Sequence, residues 1–198
     1  MIYNLFPTAV GHYKIKRNLT KAELKFINGQ ERRENEGNKT SADHYILKNT
    51  ELLNLSEFLE ESLKDYLDQT LNPVEGNDIY ITQSWINYTE AGGYHHKHVH
   101  PNSVVSGVFY VDTDSERDRI NFFKDSYNAI QLETKEWNEY NSQSWWYETV
   151  IGDLYLFPSR VAHSVYKISE GKTRVSLSFN TFVKGVIGSG DGLTELKL

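Results

Sequence analysis

A short histidine-rich segment constrains this sequence more than any other feature. Residues 92–101 read GGYHHKHVHP and hold four of the seven histidines of the chain. Side chains alternate across a regular strand, so His96, His98 and His100 would share one face and His95 would lie on the other. Neighbouring neutral imidazoles are typical ligands of a divalent transition metal. The segment therefore predicts half of a metal site.

The remaining ligand must come from elsewhere in the chain, and His163 is the candidate. It ends the run GDLYLFPSRVAH, which begins as an apolar strand pattern. The chain contains no cysteine, which excludes disulfides, thiolate metal sites and cysteine nucleophiles. His98, His100 and His163 together form a three-histidine set that iron or zinc would accept. Ligand type alone does not select between these metals.

Length and composition indicate what kind of protein carries this site. The chain has 198 residues, of which 38% are hydrophobic and 13% aromatic, enough for one domain with a buried core. Its formal net charge of −6 argues against binding of bulk nucleic acid. No apolar run suggests a signal peptide or a membrane span. We expect one cytoplasmic domain over 1–198, with barrel edges that could support a homodimer.

The apolar pattern divides the chain into a helical first part and a strand-rich second part. Residues 50–71 carry apolar side chains at steps of three and four, which predicts an amphipathic helix. The charged run 30–36 is interpreted as the solvated end of a preceding helix that starts near residue 20. We predict an N-terminal part of helices and an edge strand over 1–75 and a metal-binding β core over 78–185. Helices followed by many short strands favour a β-sandwich or barrel flanked by helices.

The strand predicted over 173–183 carries the feature that discriminates between functions. In a strand, Arg174 and Ser176 point to the same face, and the apolar residues between them point to the other. An arginine inside a barrel needs an anionic partner, because burial of an unpaired charge is costly, and a carboxylate fits the guanidinium fork. Ser176 could add a hydroxyl donor to the same carboxylate.

An aromatic segment separates the two halves of the β core. We interpret it as a surface that presents the substrate, although a packed hairpin extension fits the pattern about as well. Its aromatic residues are Phe122, Phe123, Tyr127, Trp137, Tyr140, Trp145, Trp146 and Tyr147.

Several of these pieces occur together in a recognisable order. They are LFP at 5–7, Trp85-x-Asn87, HVHPxSxxSGVxYV over 98–111, GDLxLFPS over 152–159, His163, and RxSxSFN over 174–180. Through this ordered set the chain resembles the 2-oxoglutarate and Fe(II)-dependent dioxygenase superfamily. It is most similar to its small bacterial and bacteriophage branch, which is related to prolyl hydroxylases. The resemblance implies a mainly β fold with flanking helices, namely a double-stranded β-helix, the cupin-like jelly roll.

The resemblance also implies the metal ligands. His98 and His163 match the two histidine ligands of the family, and His100 falls where most members have aspartate. We expect these three to bind Fe(II). The departure at His100 leaves two other ligand sets open, namely His96 with His98, or His98 and His163 completed by water.

Four further residues match positions that bind 2-oxoglutarate in the family. Arg174 matches the arginine that pairs with the distal carboxylate, and Ser176 lies beside it. Tyr110 and Tyr88 fall where related prolyl hydroxylases place tyrosines near the co-substrate. The resemblance implies a dioxygenase that uses Fe(II), 2-oxoglutarate and O2, releases succinate and CO2, and hydroxylates a small-molecule or peptide substrate.

Two other functions are compatible with the same residues. A cupin-like three-histidine metalloenzyme, either a dioxygenase or an isomerase, would share the fold and the ligands without using 2-oxoglutarate, and would have no need of Arg174. A non-catalytic jelly roll that binds carbohydrate or protein would hold no stoichiometric metal.

Overall fold

The computed structural model describes residues 1–126, 130, 132–168, 171 and 173–198. The described residues form two α-helices and thirteen strands, with two short 3-10 turns at Ile46–Lys48 and Thr50–Leu52. The helices are α1 (Lys21–Asn28) and α2 (Leu53–Thr70), and the strands are β1 (Gly11–Lys14), β2 (Arg32–Asn35), β3 (Asn38–Ser41), β4 (Asp78–Thr89), β5 (His95–His98), β6 (Val105–Asp112), β7 (Arg119–Phe123), β8 (Ser144–Glu148), β9 (Asp153–Pro158), β10 (His163–Val165), β11 (Arg174–Lys184), β12 (Val186–Ile187) and β13 (Leu196–Lys197).

Two antiparallel sheets make up the body of the protein. The major sheet has seven strands in the order β1-β9-β6-β11-β4-β3-β2, and the minor sheet has four in the order β5-β10-β7-β8. Two strands of segment 1–75, β1 and β3, pair directly with strands of segment 78–185, so both parts of the chain build the major sheet. This arrangement confirms the predicted jelly roll with flanking helices.

One hydrophobic core lies between the helices and the outer face of the major sheet. The predicted period of α2 is confirmed, since its buried residues recur at Leu55, Leu59 and Leu63 and pack in the same cluster as Leu177 and Phe179 of β11. The sheet face away from the helices is therefore left for the interior of the jelly roll. This division puts the polar residues of β11 on the side where a site can form.

A second, smaller core fills one part of the space between the two sheets. It consists of Val108, Tyr110, Ile120, Phe122, Tyr155, Phe157 and Val161. Strand β6 is buried almost throughout because helices cover one of its faces and the minor sheet covers the other.

The charged run after α1 differs from the prediction of a solvated helix end. The helix stops at Asn28, and Arg32–Asn35 forms β2, whose four residues are exposed and pair with β3. Gly37, in the two-residue turn, has a φ of 81°, a left-handed conformation that glycine adopts without strain. A charged edge strand resists pairing with other chains, which explains why this polar run is compatible with a strand.

The N-terminal edge strand is confirmed only in part. Near the N-terminus only Gly11–Lys14 forms an edge strand, and it pairs with β9. In the described part of the chain, no helix combines the length and apolar character needed to cross a membrane.

Hydrogen bonds of Glu23 link the start of α1 to the preceding loop. Its carboxylate accepts hydrogen bonds from both terminal nitrogens of Arg17, at 2.8 and 2.6 Å, and from the backbone N–H of Thr20 at 2.6 Å. The Thr20 hydroxyl accepts from the Glu23 N–H in return, which completes a capping box. Burial raises the pKa of Glu23, but the bonds from Arg17 and Thr20 outweigh burial and hold this pKa below its usual range.

We expect Glu23→Gln to lower the free energy of unfolding by about 1–3 kcal/mol at pH 7, because the Arg17 charge loses its buried partner. A carboxyl with a lowered folded-state pKa stabilises the fold above its unfolded-state pKa and loses that effect as the pH falls through its folded-state value. The difference in free energy of unfolding between the variant and the wild type should therefore become smaller at acidic pH. Urea unfolding at several pH values measures it, with Glu57→Gln on the exposed side of α2 as control. Equal stabilities at pH 7 would contradict this role.

Candidate metal centre

Three histidines converge at one end of the space between the two sheets. His98 ends β5, His100 lies two residues later, and His163 begins β10 opposite His98. One ring nitrogen from each lies within 4.8 Å of the others, and the Nε2 atoms of His100 and His163 are 3.4 Å apart. Imidazole ligands of one metal ion at about 2.1 Å would have nitrogens roughly 3 Å apart. The structure therefore assembles the three histidines predicted from sequence, and the nitrogens of His100 and His163 lie near that spacing.

Backbone carbonyls orient two of these rings. The Nδ1 of His98 lies 2.7 Å from the carbonyl oxygen of His96, and the Nδ1 of His163 lies 3.0 Å from that of Val161. A carbonyl can only accept, so each Nδ1 carries the proton and each Nε2 keeps a free lone pair. This is how metal-binding histidines are commonly fixed.

The three imidazoles are held in the neutral form that binds metals. Burial lowers the pKa of His98, lowers that of His100 to about 4, and lowers that of His163 to about 3. The neighbouring histidines lower the last two further, because a charge on one ring disfavours a charge on the next.

A buried network of serines holds the loop that carries His100. The His100 N–H donates to the carbonyl oxygen of Ser159 at 3.0 Å. The Ser159 hydroxyl donates to Ser103 Oγ at 2.7 Å and lies 2.8 Å from Ser106 Oγ. The loop after β5 is therefore tied to the end of β9, which explains the serines that follow the HVHP segment.

Arg174 lies in the same cavity as the histidines. It is only 4% exposed, and its Nη2 donates to the Tyr110 hydroxyl at 3.2 Å. Its Nε and Nη1 are buried and have no hydrogen-bond partner among the described residues. Ser176 pairs in register with Tyr110, and both line the cavity with Arg174. The structure therefore brings together three of the four residues predicted for the co-substrate.

Tyr88, the fourth, lies elsewhere. It is fully buried in the core beneath the helices, where its hydroxyl donates to the carbonyl oxygen of Ile27 and Arg32 lies 4.0 Å over its ring. Alternation along β4 directs Tyr88 to the helical face and Asn87 into the cavity, so Tyr88 is not among the described residues that line it. Asn87 donates to Ser178 Oγ at 2.9 Å.

The cavity contains residues that the sequence reasoning did not assign. His95 lines it and stacks on His98, with ring centroids 4.3 Å apart, although regular alternation predicted opposite faces. The pairing of β5 with β10 shifts register between His98 and His95, which returns both rings to one side. Trp85 also lines the cavity, 5.9 Å from His100. No periodicity argument could have located the register shift.

The aromatic segment is split between core and surface. Phe122 and Tyr147 stack edge to face at 6.1 Å on β7 and β8, while Trp137 and Trp146 are largely exposed. Tyr127 lies outside the described residues. The segment therefore includes a packed hairpin, and its role in presenting a substrate stays a prediction.

We expect His163→Ala to weaken binding of Fe(II) or Zn(II) by more than about 100-fold, because even loss of an outer partner of a ligand costs 10–100-fold. Equilibrium dialysis with metal analysis of the folded protein measures the affinity. His44→Ala, which removes a histidine far from the cluster in sequence and outside the cavity lining, should bind as wild type does. Unchanged affinity in His163→Ala would contradict the assignment of this ligand.

The Tyr88→Phe variant tests whether Tyr88 is a structural residue of the core or a residue that contacts the co-substrate. We expect it to lower the free energy of unfolding by about 1–3 kcal/mol, because a buried carbonyl loses its donor. Metal affinity should not change, since the ring lies in the helical core. Thermal or urea unfolding together with metal titration measures both effects, and a change confined to the metal site would refute this placement.

Comparison with known proteins agrees with this geometry. A family model described as "Putative 2OG-Fe(II) oxygenase" matches residues 83–180, which include all three histidines and Arg174. No curated protein sequence matches the chain.

Solved structures share the fold at low sequence identity. One is an oxidoreductase of the 2OG-Fe(II) oxygenase family from Burkholderia pseudomallei, with 9% identity and a TM-score of 0.55 over 79% of this chain and 73% of that one. Another is SnoN, a non-haem alpha-ketoglutarate-dependent epimerase from nogalamycin biosynthesis, with 13% identity and a TM-score of 0.61 over 90% of this chain and 81% of that one. Over residues 83–180, just under half of the chain, the sequence is therefore similar to the 2OG-Fe(II) oxygenase family, and these two solved structures share its fold.

Proposed function

We propose that this chain is an Fe(II)- and 2-oxoglutarate-dependent dioxygenase that hydroxylates its substrate. The observation that carries the proposal is the buried Arg174, which has two unpartnered nitrogens in the cavity of the three-histidine cluster. No aspartate or glutamate is among the described residues that line this cavity. A cavity with a fixed positive charge and no acid of its own is suited to an anionic ligand.

The residues present fit both partners. His98, His100 and His163 would hold Fe(II) on one side and leave coordination positions open on the other. When bound, the iron would bring O2 and 2-oxoglutarate together, so that one oxygen atom enters succinate with release of CO2 and the other enters a C–H bond of the substrate. The chain itself supplies ligands, orientation and a shielded cavity.

Arg174 would bind the carboxylate of 2-oxoglutarate that lies away from the metal. One of the two N–H groups of Nη2 donates to Tyr110, which leaves the other together with those of Nε and Nη1 for the ligand. The Tyr110 and Ser176 hydroxyls line the same cavity and can donate to the carboxylate oxygens. One charge and two hydroxyls then fix the far end of the co-substrate, while its keto-acid end lies toward the histidines.

Apolar side chains around this polar set would exclude water. Val108, Ile120, Phe157 and Val165 line the cavity between the two sheets. Displacement of water by such residues strengthens the electrostatic interactions within the site. We infer that the substrate is a small molecule or a peptide side chain that reaches the histidines between the two sheets.

Anaerobic titration of the Fe(II)-loaded protein with 2-oxoglutarate tests the proposal. We expect the weak visible charge-transfer band that results when a keto acid chelates Fe(II). Arg174→Gln should raise the Kd for 2-oxoglutarate by about 10–100-fold, because a charge-assisted hydrogen bond contributes roughly 1.5–3 kcal/mol. Arg117→Gln, which changes an exposed arginine on the β6–β7 loop, is the matched control.

The outcomes separate the competing functions. Iron binding without a band, together with an Arg174→Gln variant that behaves as wild type, would favour a three-histidine metalloenzyme that does not use 2-oxoglutarate. Absence of stoichiometric metal would favour a binding jelly roll. Succinate formed without oxidised substrate would show the co-substrate reaction alone, and a hydroxylated product is needed to establish hydroxylation.

A further inference from the structure

His95 is a fourth imidazole inside the cavity, beyond the three that converge as ligands. It is the first residue of β5, and its ring lies nearly parallel to that of His98, with 24° between their planes and 4.3 Å between centroids. It lines the cavity together with the cluster and Arg174. Its ring is half-buried, and none of the hydrogen bonds of the three candidate ligands involves its nitrogens, so they are available to a ligand.

The local backbone is arranged so that this ring enters the cavity. His95 and His98 are three residues apart, and a regular strand would direct them to opposite faces. On the partner strand, His163 and Val165 face His98 and His95, so β5 carries one extra residue over this interval. Bulges of this kind often redirect a side chain next to an active site. Without the extra residue, His95 would point out of the cavity.

The cavity runs from the histidine cluster to Arg174, and His95 is among the residues that line it. A dicarboxylate that reaches from one end to the other would pass these residues. Because the ring of His95 lies on that of His98, it would lie beside the end of such a ligand that is nearer the metal.

We propose that His95 is a co-substrate-binding residue, whose imidazole N–H donates a hydrogen bond to the metal-side carboxylate of the bound 2-oxo acid. This inference rests on the proposed function and extends it to a residue outside the ligand set. Arg174 holds one end of the dicarboxylate, and His95 orients the other. A neutral imidazole is suited to this task because it donates without adding a further positive charge beside the metal.

His95→Phe tests the proposal, because it keeps an aromatic ring on His98 but removes both nitrogens, and His95→Gln restores a donor on a flexible side chain. We expect about a tenfold rise in the Kd for 2-oxoglutarate in His95→Phe, the equivalent of one lost hydrogen bond, and partial recovery in His95→Gln. Two readouts measure it, namely the anaerobic Fe(II) charge-transfer titration and calorimetry of the catalytically inert Zn(II) form. His44→Phe is the matched control.

Each result has a distinct meaning. Wild-type affinity and an unshifted band in His95→Phe, while wild-type protein binds 2-oxoglutarate, would overturn the role of His95 and leave the proposed function intact. Loss of the metal from His95→Phe would overturn it in favour of a ligand role. No binding of 2-oxoglutarate to wild-type protein would refute the proposed function itself. If the phenylalanine variant does not fold, His95→Leu and His95→Asn provide the same comparison.

Discussion

The buried charge of Arg174 is the constraint on which the rest of the site depends. A guanidinium that is 4% exposed and bonded only to the Tyr110 hydroxyl has lost most of its hydration without gaining a counter-ion from the described residues. Such burial is costly unless an anion completes the site. The fold tolerates this cost because Arg174 is the first residue of a long central strand that is anchored on both sides. An active site that is incomplete without its ligand is the simplest account of the arrangement.

Strand β11 shows how one sequence pattern serves both stability and function. Val175, Leu177 and Phe179 pack beneath the helices, and Arg174 and Ser176 face the minor sheet. The apolar residues fix the register of the strand, since a slip by one residue would bury the polar set among leucines. Positions in the cavity are therefore held by packing on the opposite side of the same sheet. The helical core thus acts as the rigid support of the site, although it contributes no group to it.

Regular periodicity and residue chemistry were sufficient to predict most of the fold and much of the site. They predicted α2, the polar face of β11 and the convergence of His98 with His163. They failed where local geometry departs from an ideal repeat, as at His95, where a register shift turns a ring inward, and at Tyr88, whose neighbour Asn87 takes the inward position. The charged strand β2 was missed because an exposed edge strand has no apolar alternation to reveal it.

The histidine at position 100 and the unpaired arginine have related electrostatic consequences. Fe(II) and Arg174 would together supply three positive charges against two negative charges on 2-oxoglutarate, and with three neutral imidazoles no ligand cancels the difference. A family aspartate at this position would neutralise the site. The three histidines differ in burial, since His98 and His100 are partly exposed and His163 is buried. With neutral imidazoles at all three positions, the cavity would keep one uncancelled positive charge, which strengthens its attraction for an anionic ligand.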